Sequence, residues 1–235
     1  MGPEDNLVSW TSSLLFALVY IFHRHANSRD ASQFDDISLC ILDTTSLPKG
    51  VFLRDVDLIQ AYSLFDEHLA DLERLRSGRF YFGEYLSQGA LKIRDICQIV
   101  SAQEIINRGL YNLQEEFSIF SKWEKGWKVP WARPTLDLRE TIYRKGKVNP
   151  SMTQEKLHIL SDIASSFEPR WRLPVVASLT TLLPCKLDKG LFQMFRSNLF
   201  TGLFFSFLCF QCGDANSLTR RPKQLLSIRN EGCSL

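Results

Sequence analysis

The sequence has almost no excess of charge of either sign. Its 235 residues include 28 Lys and Arg against 26 Asp and Glu, so the formal net charge at pH 7 is +2. A balance this even produces no protein-wide field that would attract nucleic acid or an anionic membrane. Net charge therefore identifies no partner. The hydrophobic content of 45% is enough to fill a core, which excludes disorder of the whole chain.

Long uninterrupted apolar runs are also scarce. Leu14–Phe22 is nine residues long, about half of what a membrane-spanning helix requires. Residues 1–6 contain two acids and no Lys or Arg, whereas a secretory signal begins with a positively charged region. We interpret the run as a buried helix, with a signal anchor as the less favoured alternative.

The six cysteines show neither a zinc nor a disulfide framework. Two of them lie in apolar strand-like runs, where a small buried thiol is usual, and two have Cys-x-x-Cys spacing without a second pair or a thioredoxin-like setting. We therefore expect a reduced compartment and an intracellular protein, in the cytoplasm or the nucleus. The cysteines are Cys40, Cys97, Cys185, Cys209, Cys212 and Cys233.

Familiar catalytic motifs are missing from the sequence. It contains no Gly-rich phosphate loop, no Gly-x-Ser-x-Gly elbow and no metalloprotease helix. His23 and His25 are two residues apart, so they do not share a helix face and would need further ligands to hold a metal. We expect no metal site.

The first half of the chain alternates strand and helix patterns. Hydroxyl residues at Ser9–Ser13 precede the apolar run, which predicts a strand end or turn followed by a helix. Ile37–Thr44 has the content of a central strand. Asp57–Leu75 carries apolar residues at three- and four-residue intervals, which predicts an amphipathic helix or a helix pair.

Two further strands and a short helix follow. We predict an aromatic strand at Arg79–Leu86, an apolar strand at Cys97–Val100 and, after the cap candidate Ser101, a helix at Ala102–Asn107 that Gly109 ends. This order favours an α+β fold with a mixed sheet and packed helices over a doubly wound sheet.

The sequence divides into four parts on these patterns. Residues 1–140 form the α+β domain, 141–151 a linker, 152–201 a small C-terminal helical appendage, and 202–235 an irregular tail. The phenylalanine-dense run Leu199–Phe210 is too short to span a bilayer, so membrane insertion is disfavoured. We hypothesise instead that the residues after Gly202 are translated intron or frameshifted sequence.

Two stretches mix basic and aromatic residues. Lys122–Lys128 and Arg170–Arg172 have a composition suited to stacking on single-stranded nucleic acid. The alternative is that each tryptophan packs into the domain while Lys and Arg stems cover it. Nearby glutamates favour packing, so a protein partner, whose identity is unknown, is preferred to nucleic acid.

Four blocks in order make the chain resemble an uncharacterised fungal family, known only as a domain of unknown function, over roughly residues 7–115. No activity comes with that resemblance. The blocks are Trp10–Leu14, Ile41–Thr45, Gly83–Leu91 and Ile99–Ile106.

The same blocks are similar in plan to mono-ADP-ribosyltransferases. In that family an arginine on an early strand, a Ser-Thr-Ser strand end and a late glutamate surround nicotinamide adenine dinucleotide (NAD). The resemblance implies that Ser9, Thr11 and Ser12 match the cofactor-binding hydroxyls and that Glu84 matches the catalytic glutamate. Such a glutamate holds a ribose hydroxyl and stabilises an oxocarbenium-like transition state.

Two departures lower the expectation of catalysis. None of the eight residues before Ser9 is Arg, and position 82 is Phe where arginine- or asparagine-directed members carry Gln or Glu. We therefore expect a non-catalytic interaction or scaffold domain with no cofactor, in which Ser9–Ser13 cap a helix and Glu84 is satisfied by backbone amides or an arginine. The alternative is a divergent, N-terminally truncated ADP-ribosyltransferase that uses NAD.

Overall fold

The computed structural model describes residues 7–27, 29, 32–89, 91–146, 152–183 and 208–214. Within these ranges the chain forms six strands, nine α-helices and one short 3-10 helix at Thr44–Ser46. The strands are β1 (Leu7–Thr11), β2 (Ile37–Asp43), β3 (Phe52–Arg54), β4 (Glu84–Gln88), β5 (Cys97–Ser101) and β6 (Leu208–Asp214). The helices are α1 (Leu14–Ala26), α2 (Asp55–Tyr62), α3 (Glu67–Arg76), α4 (Ala102–Asn107), α5 (Leu110–Leu113), α6 (Glu116–Phe120), α7 (Ala132–Gly146), α8 (Gln154–Ser165) and α9 (Pro169–Thr180).

The strands form one sheet in the order β3-β4-β1-β6-β2-β5. The predicted α+β class is confirmed, but the predicted mixed sheet is wrong, because every pairing among the described strands is antiparallel. The reason is the position of β6. In the chain, β1 precedes α1 and β2 follows it, and the two strands run in the same direction. In the sheet, β6 lies between them and is antiparallel to both.

Strand β6 lies in the part of the chain that we expected to be irregular. Residues 208–214 pair along the whole length of β2, from Ile37 opposite Asp214 to Asp43 opposite Leu208. The rest of the predicted tail lies outside the described residues. The structure thus differs from the sequence prediction at 208–214, because pairing with β1 and β2, and not a local periodicity, makes this segment a strand.

Helix α1 fills the centre of the main core. The Ser13 hydroxyl accepts a hydrogen bond from the Phe16 amide at 3.2 Å, which is the expected N-cap. The helix then continues to Ala26, four residues beyond the predicted end, and most of its residues are buried. None of the described helices is long and apolar enough to cross a bilayer.

The two faces of β2 line different apolar clusters. Ile37, Leu39 and Ile41 point into the main core with α1, whereas Cys40 and Leu42 belong to a second, smaller cluster on the other face. All five side chains are buried. Strand β2 is therefore a two-sided central strand, as its almost continuous apolar sequence predicts.

Helices α7, α8 and α9 add to the main core. We assigned residues 141–151 to a linker, and α7 continues through the first six of these positions to Gly146. Its residues Leu138 and Ile142 are buried in the same cluster as Leu160 of α8 and Val175 of α9. The helices expected as an appendage therefore share a core with α1. Residues 147–151 and 184–201 lie outside the described part.

The aromatic segment before β4 is a turn and coil, so the predicted strand begins five residues late, at Glu84. Gly83 has φ +67°, a left-handed conformation that interrupts an extended strand. Phe82 is buried and its ring lies parallel to that of Phe16, with 5.1 Å between centroids. Tertiary packing on α1 therefore overrides the β propensity of this segment.

Candidate functional site

The four predicted site residues lie on or directly after two neighbouring strands. In the antiparallel pairing of β1 with β4, Thr11 lies opposite Glu84 and Ser9 lies opposite Leu86. Ser12 follows β1, and its backbone N–H donates to the Gly83 carbonyl at 2.8 Å. The fold therefore brings the Ser-Thr-Ser segment and the glutamate to one end of the sheet.

The hydroxyls of Thr11 and Ser12 make structural hydrogen bonds to the turn before β4. Thr11 Oγ1 donates to the Phe82 carbonyl at 2.6 Å and accepts from the Ser13 amide at 3.0 Å. Ser12 Oγ donates to the Gly83 carbonyl at 3.3 Å. These bonds join the start of α1 to the turn before β4. The helix-capping interpretation therefore holds for Ser13, whose hydroxyl caps α1, whereas Thr11 and Ser12 bond to the turn before β4.

Glu84 is buried beneath the α2–α3 helices. Its carboxylate forms an ion pair with the guanidinium of Arg76, the last residue of α3. The Nε atom of Arg76 also lies 3.7 Å from Oδ2 of Asp55, the first residue of α2. One guanidinium therefore lies between two buried carboxylates, and an arginine holds Glu84, as one interpretation of the sequence anticipated.

Burial dominates the electrostatics of Asp55. It raises the pKa of this carboxyl above its usual value, and the nearby positive charge of Arg76 opposes the rise. Neither Asp55 nor Arg76 was a candidate in the sequence. Both lie at helix ends, where a charged residue is normally solvated. No local pattern therefore indicates that Arg76 pairs with Glu84 and lies beside Asp55.

The turn between α2 and α3 presents an apolar tip. Leu64 is 91% exposed, Phe65 is 81% exposed and Tyr62, at the end of α2, is 57% exposed. The sequence periodicity assigned all three to the buried stripe of a helix or helix pair. The helix pair is confirmed, but the turn between its helices carries these side chains away from the core.

Helix α3 itself has little cover. All ten of its residues are described and none is buried, and its leucines Leu69, Leu72 and Leu75 are only partly covered. It packs against α2 and not against the main core. The two helices and their turn, residues 55–76, are called the α2–α3 hairpin below.

The α2–α3 hairpin is acidic in a chain of slightly positive net charge. It contains six acids and two arginines, and Arg76 is occupied by the ion pair with Glu84. Glu67 and Asp66 lie beside the exposed tip, and the Asp66 side chain caps α3 by accepting from the amides of His68 and Leu69. An exposed apolar tip is thus adjacent to negative charge.

The remaining sequence candidates divide between packing and exposure. Trp123 and Trp171 pack into the domain as predicted, and Trp131 packs against Phe16. The predicted packing of Trp127 is wrong, because this side chain is 71% exposed, with the Arg29 guanidinium 5.0 Å from its ring centroid. His23 and His25 lie near the backbone carbonyls of Val129 and Ser32, each with Nδ1 2.9 Å from the oxygen. Among the described residues, no group of three or more His, Cys, Asp or Glu side chains is arranged to hold a metal.

No protein-family model matches the chain, and no curated protein or solved structure is significantly similar to it. The resemblance to a fungal family and to ADP-ribosyltransferases therefore remains a prediction.

Proposed function

We propose that this protein is a non-catalytic interaction domain that binds a partner protein through the tip of the α2–α3 hairpin. The observation that carries the proposal is the exposure of Leu64 and Phe65 at the end of a helical pair. Single exposed apolar residues are common, but two adjacent large ones beside a half-exposed tyrosine form a patch of the kind that marks an interaction site.

The ion pair between Arg76 and Glu84 supports a binding role over a catalytic one. A catalytic glutamate must offer its carboxylate to a substrate, and here the carboxylate is buried and bound by a guanidinium. The same ion pair attaches the end of the hairpin to the sheet. The ion pair thus holds the hairpin against the sheet, and the apolar tip is exposed to solvent.

The expected partner presents an apolar segment flanked by Lys or Arg. Phe65 and Leu64 supply the apolar anchors, and Asp66 and Glu67 supply negative charge next to them. Complementary charges around an apolar anchor increase the association rate and suppress wrong partners. Burial of one Phe or Leu side chain stabilises a complex by about 1.5–3 kcal/mol.

The test replaces Phe65 with the photocrosslinking amino acid benzoylphenylalanine in the full chain, in cells or in their lysate. Mass spectrometry identifies any adduct, and the affinity of that protein is then measured against variants. We expect Phe65→Ser and Leu64→Ser each to weaken binding by about 10- to 100-fold. Ile119→Ser is the matched control, because Ile119 is exposed on α6, which is not part of the hairpin.

The control decides between a specific and a general apolar effect. An adduct whose affinity falls equally with Ile119→Ser would contradict the proposal, as would the absence of any adduct at position 65. Charge is tested separately with Glu67→Lys, which we expect to lower the association rate and its salt dependence. All four side chains are exposed, so their substitution leaves the fold intact.

A divergent ADP-ribosyltransferase on a fold of that type is the second candidate. The observation in its favour is that Thr11 lies opposite Glu84, at the place the resemblance assigns to NAD. Saturation-transfer NMR of the full chain with NAD tests it. Signal transfer that is lost in Glu84→Gln would support the enzyme, whereas no transfer would leave the interaction domain as the better proposal.

A further inference from the structure

A pair of cysteines, Cys40 and Cys97, lies outside the region used in the proposed function. In the antiparallel pairing of β2 with β5, Cys40 is opposite Ile99 and Cys97 is opposite Leu42. Residues 97 and 99 are two apart on one strand, so both cysteines lie on the same face of the sheet in diagonal positions. Both belong to the smaller apolar cluster with Leu42.

The two thiols differ in access to solvent. Cys40 is fully buried on the central strand, whereas Cys97 lies on the edge strand and is partly exposed. Neither forms a disulfide. The pair therefore combines one thiol that is accessible to small solutes, Cys97, with a buried neighbouring thiol, Cys40.

The surroundings of Cys97 stabilise its thiolate. A hydrogen bond with the Cys40 thiol is the largest cause and, together with the charge of Arg170 on α9, lowers the pKa of Cys97 to about 7. Burial and the negative charge of Asp95 oppose this shift. Arg170 is itself 3.5 Å from the carboxylate of Glu168, which reduces but does not cancel its field at the sulfur.

We propose that Cys97 is a site of thiol modification by hydroperoxides, with Cys40 as the hydrogen-bond donor that holds the reactive thiolate. The Cys97 thiolate attacks the terminal peroxide oxygen, so an S–O bond forms while the O–O bond breaks. The departing alkoxide or hydroxide takes a proton from water and leaves as an alcohol or water. Cys97 becomes a sulfenic acid, oxidised by two electrons, and the hydroperoxide is reduced by two.

Physical chemistry favours Cys97 because the thiolate is the nucleophile. Near neutral pH a thiol with an ordinary pKa of about 8.5 is only a few per cent ionised. A thiol that titrates near pH 7 is about half ionised there, which gives it an advantage over ordinary cysteines. In the attack on the peroxide, Cys40 acts through this hydrogen bond, so it is a positioning residue for that step.

The first test measures the rate at which iodoacetamide alkylates Cys97 in the full chain as a function of pH, followed by peptide mass spectrometry. We expect a midpoint near pH 7. Cys40→Ser, whose hydroxyl still donates, should keep a low midpoint, whereas Cys40→Ala should raise it. A synthetic peptide of residues 93–101 provides the unfolded reference. A midpoint in the full chain equal to that of the peptide would overturn the proposal.

The second test uses hydrogen peroxide at pH 7 with dimedone to trap the sulfenic acid. If loss of the donor raises the midpoint by about one pH unit, labelling of Cys97 should slow about fivefold in Cys40→Ala and little in Cys40→Ser. Arg170→Gln changes a surface charge without altering the core and should also slow labelling. Equal labelling rates in the wild type, Cys40→Ala and Arg170→Gln would contradict the proposal even where one variant is unstable.

Discussion

Arg76 on α3 forms an ion pair with the buried Glu84 at the start of β4, and this pair joins the α2–α3 hairpin to the sheet. Helix α3 has no buried residue among its ten, all of which are described. The ion pair therefore adds a charged contact to the partly buried leucines that attach the helix. The same contact occupies the carboxylate that the sequence offered as catalytic.

Removal of the guanidinium should destabilise the protein strongly. Arg76→Met leaves Glu84 and Asp55 buried without a positive partner, so we expect a loss of about 3–5 kcal/mol in the free energy of unfolding at neutral pH. Urea denaturation measures this. Arg74→Met is the matched control, because Arg74 pairs with Asp71 in an exposed position and should change stability by less than about 1 kcal/mol. Equal effects of the two substitutions would contradict the structural role of Arg76.

Gly83 should not tolerate a side chain. A Cβ added there would lie 2.2 Å from Ser12 Oγ, on a backbone with φ +67°. Gly83→Ala should therefore destabilise by more than the roughly 1–2 kcal/mol of left-handed strain alone. Gly89→Ala carries only the strain, since φ is +73° and no atom lies within 4 Å. Adding Ser12→Ala to Gly83→Ala should restore part of the lost stability. Thermal unfolding of the wild type, Gly89→Ala, Gly83→Ala and the double variant Ser12→Ala/Gly83→Ala checks these differences in stability.

The pH dependence of stability should reveal Asp55. Burial raises the pKa of Asp55 above 3.8, so between pH 3.8 and this raised pKa the native state binds more protons than the unfolded state. The contribution of Asp55 to the free energy of unfolding therefore falls as pH rises through this range. Asp55→Asn cannot ionise, so its stability relative to wild type should rise with pH. Urea titrations between pH 3 and 7 measure the difference.

Asp57 provides a control of opposite sign. A hydrogen bond from Arg54 lowers the pKa of this exposed carboxyl, so its contribution to stability is present above pH 3.8 and is lost as pH falls through the lowered pKa. The stability of Asp57→Asn relative to wild type should therefore decrease as pH rises. Parallel slopes for the two variants would show that the Asp55 environment is not as described.

Hydrogen exchange should separate the hairpin from the core. Local opening requires little loss of apolar contact where few residues are buried, so amides of α3 should exchange well before those of α1, most of whose residues are buried. Exchange detected by mass spectrometry on peptides from each helix provides the measurement. Protection of α3 equal to that of α1 would contradict its weak packing.

Much of the fold was predictable because it depends on short-range patterns. The cap at Ser13, the central strand at Ile37–Asp43 and the helix pair after Asp55 all follow from hydroxyls, β-branched content and three- and four-residue spacing. The adjacency of Thr11 and Glu84 was anticipated only by resemblance. Nothing in the spacing of those residues specifies the pairing of β1 with β4.

Sequence alone determined which segments are apolar enough to be buried and where local hydrogen bonds begin a helix. Tertiary structure alone decided that β6 lies between β1 and β2, that Arg76 pairs with Glu84 and that Cys40 and Cys97 share one face of the sheet. The physical reason is that these contacts join different elements. The strand pairings connect residues far apart in sequence, and Arg76 and Glu84, although close in sequence, lie on a helix and a strand. Their partners are selected by register and by the shape of the packed core, which no local pattern encodes.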